Sequence, residues 1–498
     1  MKSIIYIFLP AKKIYPLGVT YLANFIHLHR PDTRQYILDL STIERGKRYS
    51  VLNEKIHSFN PDIIAISWRD IQIFAPHEGD NSLKDTFDFY YSLNPIKKIS
   101  ASIAGLRHIA TYQKRIKENL SYIIMLRRDF PEKRIIVGGG AFNVFSEYIV
   151  QNLPDTITGV IGEGEDFLLK VLDGDDISNE RYIKKRGDNI LKGIKSKPID
   201  ISNISFDISY ISSIFPQHKE YKDDIIGVQT KRGCPFHCQF CLYPYIEGRD
   251  IRYRRPASVY NEIRQFYDIW GTRRFWFADA QFIPEREAIP ICIDLLERII
   301  KDKLDIEWSG YIRTSLITPE LAKAMVKSGL GDLEISITSG SQKIIDSLTM
   351  GFDLEDLYKG SSYLAEAGFK GRLMLNYSLN LPGEDIDSLL LSIESYKKVS
   401  KIMGDNNVYP FIFFLGIQPH TPLEQRLLKV GYLKRGYSPL SLNPFTVKRL
   451  IYNPPPLNKL LAEAYLRGSE KGNENIGKEV FSALEAMLLS KNNAAECR

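Results

Sequence analysis

At 498 residues and 44% hydrophobic content, the chain is too long for one ordinary small domain and carries enough apolar side chains for more than one packed core. Its 66 Lys and Arg against 60 Asp and Glu leave a formal charge of +6 spread over a large surface, which argues against a nucleic-acid-binding role. Five cysteines, three of them within eight positions, fit a metal site in a reducing compartment far better than a disulfide framework.

The first apolar run, Ile4 to Leu9, has the length of a buried strand and not of a signal peptide or membrane span, which predicts a cytoplasmic protein. Further strand-like runs at Tyr36 to Leu40, Ile63 to Ser67 and Arg134 to Val137 alternate with helical stretches, so residues 1–175 read as an α/β domain built on a doubly wound parallel sheet. Within it, Arg69 to Ser100 is irregular and rich in aromatic and acidic residues, as a long insertion at the active edge would be. Residues 176–224 collect Asp, Asn, Lys, Ser and Pro and read as a connector.

Six further strand-like runs follow, at Ile226 to Thr230, Arg274 to Ala278, Ile306 to Ile312, Asp332 to Ile337, Arg372 to Leu379 and Val408 to Phe414. Helical patterns between them predict a partial (β/α)6 barrel over 225–425, with function at the carboxyl ends of its strands. One of these helices carries its own boundaries: Thr318 to cap, Pro319 at the first helical position and Gly329 for a left-handed stop. Residues 426–498 form a C-terminal extension with one predicted helix, Gly477 to Ser490.

The most informative stretch runs from Thr230 to Tyr245 and holds Cys234, Cys238 and Cys241 on a loop after a strand. Thiolates spaced Cys-x3-Cys-x2-Cys can bind three irons of a [4Fe-4S] cluster and leave a fourth iron open. Zinc is the alternative, but it wants a fourth nearby Cys or His, and His237 lies between two ligands where it is badly placed to close the site. Cys292 and Cys497 read as a buried thiol and a tail thiol.

This spacing resembles the radical S-adenosylmethionine (SAM) superfamily. The later motifs keep the family's order: Phe275 to Phe282 resembles the second-strand end, Trp308 to Arg313 the third, Glu334 to Ser341 the fourth and Asn380 to Glu384 the fifth. The resemblance implies a SAM chelated to the open iron and cleaved by electron transfer to a 5′-deoxyadenosyl radical. It implies SAM-side contacts from Asp279, Gln281, Arg313, Glu334, Ser336 and Ser339, although Thr338 and Asn380 stand where related members often have Glu and Gly. A low-potential electron donor such as flavodoxin or ferredoxin is implied as partner.

Ahead of the barrel lie Tyr15-Pro16-Leu17-Gly18, Ser67-Trp68-Arg69-Asp70, Gly138-Gly139-Gly140 and Gly162-Glu163-Gly164-Glu165. Glycines directly after an apolar strand let a cofactor approach backbone amides at a helix start. In this order the motifs resemble the cobalamin-binding domains of the superfamily's methylase branch. The Asp-x-His-x-x-Gly signature is absent, which implies a cobalamin without a protein histidine on cobalt, its lower face near Trp68 and Arg69, its tail near Gly138, Gly139 and Gly140, and Gly162 and Glu163 also at the cofactor. Packing is the alternative for Trp68, solvation for Arg69, and helix capping for Glu163 and Glu165. His77 and His108 read as ordinary polar residues.

The resemblance therefore implies a radical SAM methyltransferase carrying a methyl group by way of methylcobalamin to an unactivated carbon or a phosphinate phosphorus of a small molecule. A cobalamin-dependent cyclase or oxidative rearrangement enzyme and a non-catalytic cobalamin or redox sensor are the alternatives. Cys241 to Gly248 and Phe275 to Phe282 look most like the P-methyltransferases of phosphinate antibiotic biosynthesis, and Arg249, Arg252, Arg254 and Arg255 offer either an anion pocket or a solvated basic loop.

Overall fold

The computed structural model describes residues 2–69, 77–177, 182–187, 189–193, 198–440, 442–470 and 475–496. Asp70 and Cys497 lie outside them. Two seven-stranded sheets organise the chain. The first has β1 (Ser3–Phe8), β2 (Arg34–Asp39), β3 (Ile63–Ser67), β4 (Arg134–Gly138), β5 (Thr158–Val160), β6 (Tyr182–Arg186) and β7 (Asn189–Lys192), in the order β2-β1-β3-β4-β5-β6-β7. The first five strands are parallel. All six residues of β1 are buried, as expected of a parallel strand covered on both faces. Ile4, Tyr6 and Phe8 join one apolar cluster while Ile5, Ile7 and Leu9 join another.

The strand order reverses between β1 and β3, the place where an open α/β sheet leaves a crevice at its carboxyl edge. Leu9 N donates to Ser67 O there at 3.0 Å.

The second sheet starts at β8 (Ile226–Val228). A short hairpin of β9 (Lys231–Arg232) and β10 (Arg252–Tyr253) follows, and then β11 (Arg274–Phe277), β12 (Glu307–Tyr311), β13 (Leu330–Thr338), β14 (Leu373–Leu379) and β15 (Val408–Gly416). β8 and β11 to β15 form an open arc of six parallel strands, extended at its far edge by the antiparallel β16 (Ile451–Tyr452). The caps of the helix Pro319–Lys327 follow the sequence: Leu321 N donates to Thr318 Oγ1 at 3.1 Å. Gly329 has φ +93°, and a side chain there would strike Ile306 O.

Three stretches differ from their sequence reading. The connector contains β6 and β7, which extend the first sheet as an antiparallel hairpin. The 69–100 insertion is helical from Asn81, because Asp80 and Asn94 cap Asn81–Tyr91 and the long helix Pro95–Asp129; its scattered polar residues hid the second helix's periodicity. The C-terminal extension holds the helices Pro444–Leu450 and Asn458–Glu470 as well as Ile476–Glu496.

The two halves share a core, since the cluster that covers Ile4, Tyr6 and Phe8 continues into the barrel's Phe275, Phe277 and Trp308. Residues 77–78 lie along the outer strand of the arc: Glu78 N donates to Ile412 O at 2.9 Å and Ile412 N donates to Glu78 Oε2 at 2.8 Å. The imidazole of His77 sits over the Phe411 and Phe413 rings, at centroid distances of 5.5 and 6.0 Å.

Candidate active site

The cysteine loop is closed at its base by the β9–β10 hairpin, where Arg232 pairs with Arg252 and Lys231 with Tyr253. Gly233 has φ +94°, and a Cβ there would lie 2.2 Å from Asp250 O, so only glycine fits. Cys234 N donates to Gly248 O at 3.1 Å, Gly233 N to the half-buried Glu247 carboxylate at 3.1 Å and Cys241 N to Cys238 O at 3.2 Å. Opposite, Gln239 N donates to Leu348 O at 3.2 Å and Thr349 Oγ1 to His237 O at 2.5 Å, which ties the loop to the segment after β13. His237 itself is exposed beside Arg249.

Cys234 is buried and the other two are half-buried. Burial pushes the Cys234 and Cys241 thiols up to about 11, and raises Cys238 against the opposing pull of Arg313. Metal must displace those protons when it binds. The guanidinium of Arg313 lies 3.6 Å from the Phe236 ring centroid and donates to Met350 O.

Inside the arc, side chains alternate between a packed outer face and a partly open inner one. Leu333, Ile335 and Ile337 of β13 are buried while Glu334 and Ser336 are not fully covered. Glu334 Oε1 accepts from Asn376 Nδ2 at 2.6 Å, and the same amide reaches Ser336 Oγ at 3.3 Å. Burial raises the Glu334 carboxyl, with the Asn376 amide opposing. Asn376 Oδ1 and Gln281 Oε1 are buried without a partner among the described residues. Trp276 and Tyr311 meet edge to face at 5.2 Å on the same inner face.

Two residues expected on the SAM side are buried and bonded to protein partners. Asp279 is 1% exposed and accepts from Thr230 N at 2.8 Å, Thr230 Oγ1 at 2.5 Å and Lys231 Nζ at 2.9 Å. A carboxylate so fully bonded to buried partners holds the loop from behind, because its register points it into the packed layer. Ser339 is fully buried, and its Oγ accepts from Ser341 N at 3.1 Å inside a turn. Asn376 escaped notice in the sequence; a lone amide inside an apolar strand was the available signal.

In the first half, Trp68 N donates to Gly138 O at 2.8 Å and Ala141 N donates to Trp68 O at 3.0 Å. Gly139 has φ +99° and a Cβ on it would lie 2.7 Å from Trp68 O, so the glycine lets the two strand-end loops close on each other. The Trp68 side chain is in the core and Arg69 is half-buried. Gly140 begins the helix Gly140–Gln151. Gly162 has φ +95° with open space around it, and its N–H donates to Asn143 Oδ1 at 2.8 Å.

Glu163 pairs with Arg252 through both guanidinium nitrogens and lies 3.4 Å from Arg232, which also holds Glu165 at 2.7 Å. Burial disfavours the Glu163 charge, but Arg252 and Arg232 outweigh it and keep the carboxyl below its usual range. Arg254 is locked to the buried Glu262 at 2.6 Å, and Arg249 donates to Phe236 O at 3.0 Å. Three of the four arginines considered for an anion pocket therefore point to different internal partners.

The helix Tyr243–Ile246, two residues after Cys241, packs on Gly140–Gln151, which starts in the glycine run. Tyr245 stacks on His420 at 4.1 Å, and His420 Nε2 lies 2.8 Å from Val144 O. The glycine loops and the cysteine loop thus meet at one seam.

Residues 228–395 match the family model described as the radical SAM superfamily. The barrel belongs to that superfamily. Over 343 residues the chain is 23% identical to an uncharacterized methyltransferase of Pyrococcus horikoshii, covering 68% of this chain and 63% of that one, so it spans less than two thirds of that relative. Over 141 residues it is 30% identical to the bacteriochlorophyllide d C-12(1)-methyltransferase of Chlorobaculum tepidum, covering 27% and 29% of the two chains.

Two solved structures share the fold. The radical SAM methyltransferase TsrM of Kitasatospora setae, with cobalamin and a [4Fe-4S] cluster bound, superposes with TM-score 0.65 at 16% identity over 88% of this chain and 80% of that one. The cobalamin-dependent SAM radical enzyme OxsB does so with TM-score 0.66 at 13% identity, over 98% and 71%. The architecture of an N-terminal α/β sheet ahead of a radical SAM barrel is common to all three. No helix among the described residues is long and apolar enough to cross a membrane.

Proposed function

We propose that this chain is a cobalamin-dependent radical SAM methyltransferase acting on an unactivated carbon of a small molecule. The observation that carries the reading is the seam: the helix leaving Cys241 packs on the helix that the glycine run begins, so a cluster site and a nucleotide-type crevice face each other. The donor set fits the groups involved. Cys234, Cys238 and Cys241 share one loop with the Cys-x3-Cys-x2-Cys spacing suited to cluster irons, although among the described residues no three His, Cys, Asp or Glu side chains already stand grouped to hold a metal ion, and the orphaned acceptors of Asn376 and Gln281 suit the ammonium and hydroxyl donors of SAM.

Cys234, Cys238 and Cys241 would hold the [4Fe-4S] cluster, and the crevice beside Trp68, Gly139 and Gly162 would hold cobalamin. When bound, these groups supply reductive cleavage of SAM and carriage of a methyl group. The chain's own work is positional. Arg313 places a cation near the cysteine sulfurs, Glu334 and Asn376 present acceptors to SAM, and Trp276 and Tyr311 keep water from the interior. Carbon is the favoured acceptor over phosphinate because Arg249, Arg252 and Arg254 are engaged elsewhere while the inner wall is aromatic. A low-potential electron donor completes the system.

Anaerobic turnover of the reconstituted protein with methyl-deuterated SAM, over a panel of apolar ring and chain substrates, tests the reading; transfer of the label to product carbon is the expected result.

A further inference from the structure

We propose that the helix Pro95–Asp129 docks the protein on the surface of an anionic bilayer. Ile96, Ile99, Ile103 and Leu106 are 77, 63, 49 and 54% exposed, and their spacing of three, four and three residues sets them on one stripe. Leu93, in the turn before the helix, is 98% exposed and continues it. Ala101 and Ile116 are buried on the opposite side, so the stripe is the face the protein does not use for its own packing.

Charge selects the occupant. Between Pro95 and Lys117 there are six Lys and Arg and no Asp or Glu. Arg107, Lys114 and Lys117 are exposed and fall on or beside the same helical face, one to three turns after the Ile residues. An apolar stripe running into a basic one is the pattern of a helix lying in the headgroup region of anionic lipids. A second copy is disfavoured, because pairing this helix with itself would bring two cationic faces together across a seam of only two heptads. Phe89 and Leu106, at the stripe's edge, also line a cavity of about 470 Å³ that continues between this helix and Pro444–Leu450, where Asp85, His108 and Arg115 make the wall partly polar.

The test is co-sedimentation of the full-length reconstituted protein with vesicles of phosphatidylcholine alone and of phosphatidylcholine mixed with phosphatidylglycerol. The protein is expected to partition onto the anionic vesicles and to leave them as salt rises. Ile99→Glu with Ile103→Glu is expected to weaken that partition at least about tenfold, and Arg107→Glu with Lys114→Glu to weaken it as well, both with unchanged melting curves. Absence of anionic-vesicle binding, or binding indifferent to Ile99→Glu with Ile103→Glu, overturns the proposal. So does a dimer, seen by light scattering in the unmodified protein and lost in that variant, which would assign the stripe to a second copy.

Discussion

Arg232 Nη2 lies 2.7 Å from Glu165 Oε1, which joins the residue two positions before Cys234 to the glutamate that opens a helix of the other half. With Arg252 and Glu163 alongside, four half-buried or buried charges fix the cysteine loop against the glycine loops. Glu163→Ala leaves Arg252 partly buried without its partner and should destabilise the chain by about 2 kcal/mol. Adding Arg252→Ala should cost less than the sum of the single changes, a coupling that a denaturant double-mutant cycle measures. Additive losses would deny the clamp.

Replacing Cys234, Cys238 or Cys241 by Ala should strip bound iron and abolish SAM cleavage. Cys292→Ala should leave both intact, because Cys292 is buried on a helix behind the loop, where its thiol donates to Phe282 O at 3.2 Å, and Lys231 keeps its own bond to the same carbonyl at 2.8 Å. Iron and sulfide analysis after anaerobic reconstitution separates the two classes of variant.

Asn376→Leu removes the amide that joins Glu334 to Ser336 and the orphaned acceptor beside them. SAM affinity should fall about tenfold to a hundredfold, the worth of one or two buried polar contacts. Iron content should not change. Equilibrium binding of SAM to the reconstituted protein reads the effect directly.

Much of the barrel was legible because its strands carry apolar runs with one wholly buried face, and all six lie where those runs stand. The cysteine spacing was equally plain. What the sequence could not reveal was register and pairing. Asp279 lies at a strand end in either case, and only the structure turns it onto Lys231. Glu165 does open the first turn of its helix, but the pairing of Glu163 and Glu165 with Arg252 and Arg232 joins distant parts of the chain and leaves no mark in the sequence. The helix Pro95–Asp129 hid its outline by exposing the isoleucines that normally mark a buried face.

Glu384 is half-buried, accepts from Leu381 N at 3.0 Å, and is pushed by burial up to about 8. Its folded value exceeds its unfolded one, so its favourable contribution is complete below about pH 4.5 and is lost as pH rises through about 8. Glu384→Gln, which keeps the neutral shape, should be relatively more stable than the unmodified chain at pH 9 than at pH 6. Thermal melts across that window check the sign, and parallel profiles would contradict it.

Methyl transfer by the proposed route requires that a methyl group from SAM reach substrate carbon while a second SAM is cleaved to start the reaction. Anaerobic turnover with methyl-deuterated SAM, followed by mass spectrometry of product and coproducts, measures both at once. A deuterated product together with 5′-deoxyadenosine and S-adenosylhomocysteine is the expected result. Substrate oxidation coupled to 5′-deoxyadenosine alone, with no label and no S-adenosylhomocysteine, would contradict methyl transfer and assign the same fold to cyclisation or rearrangement.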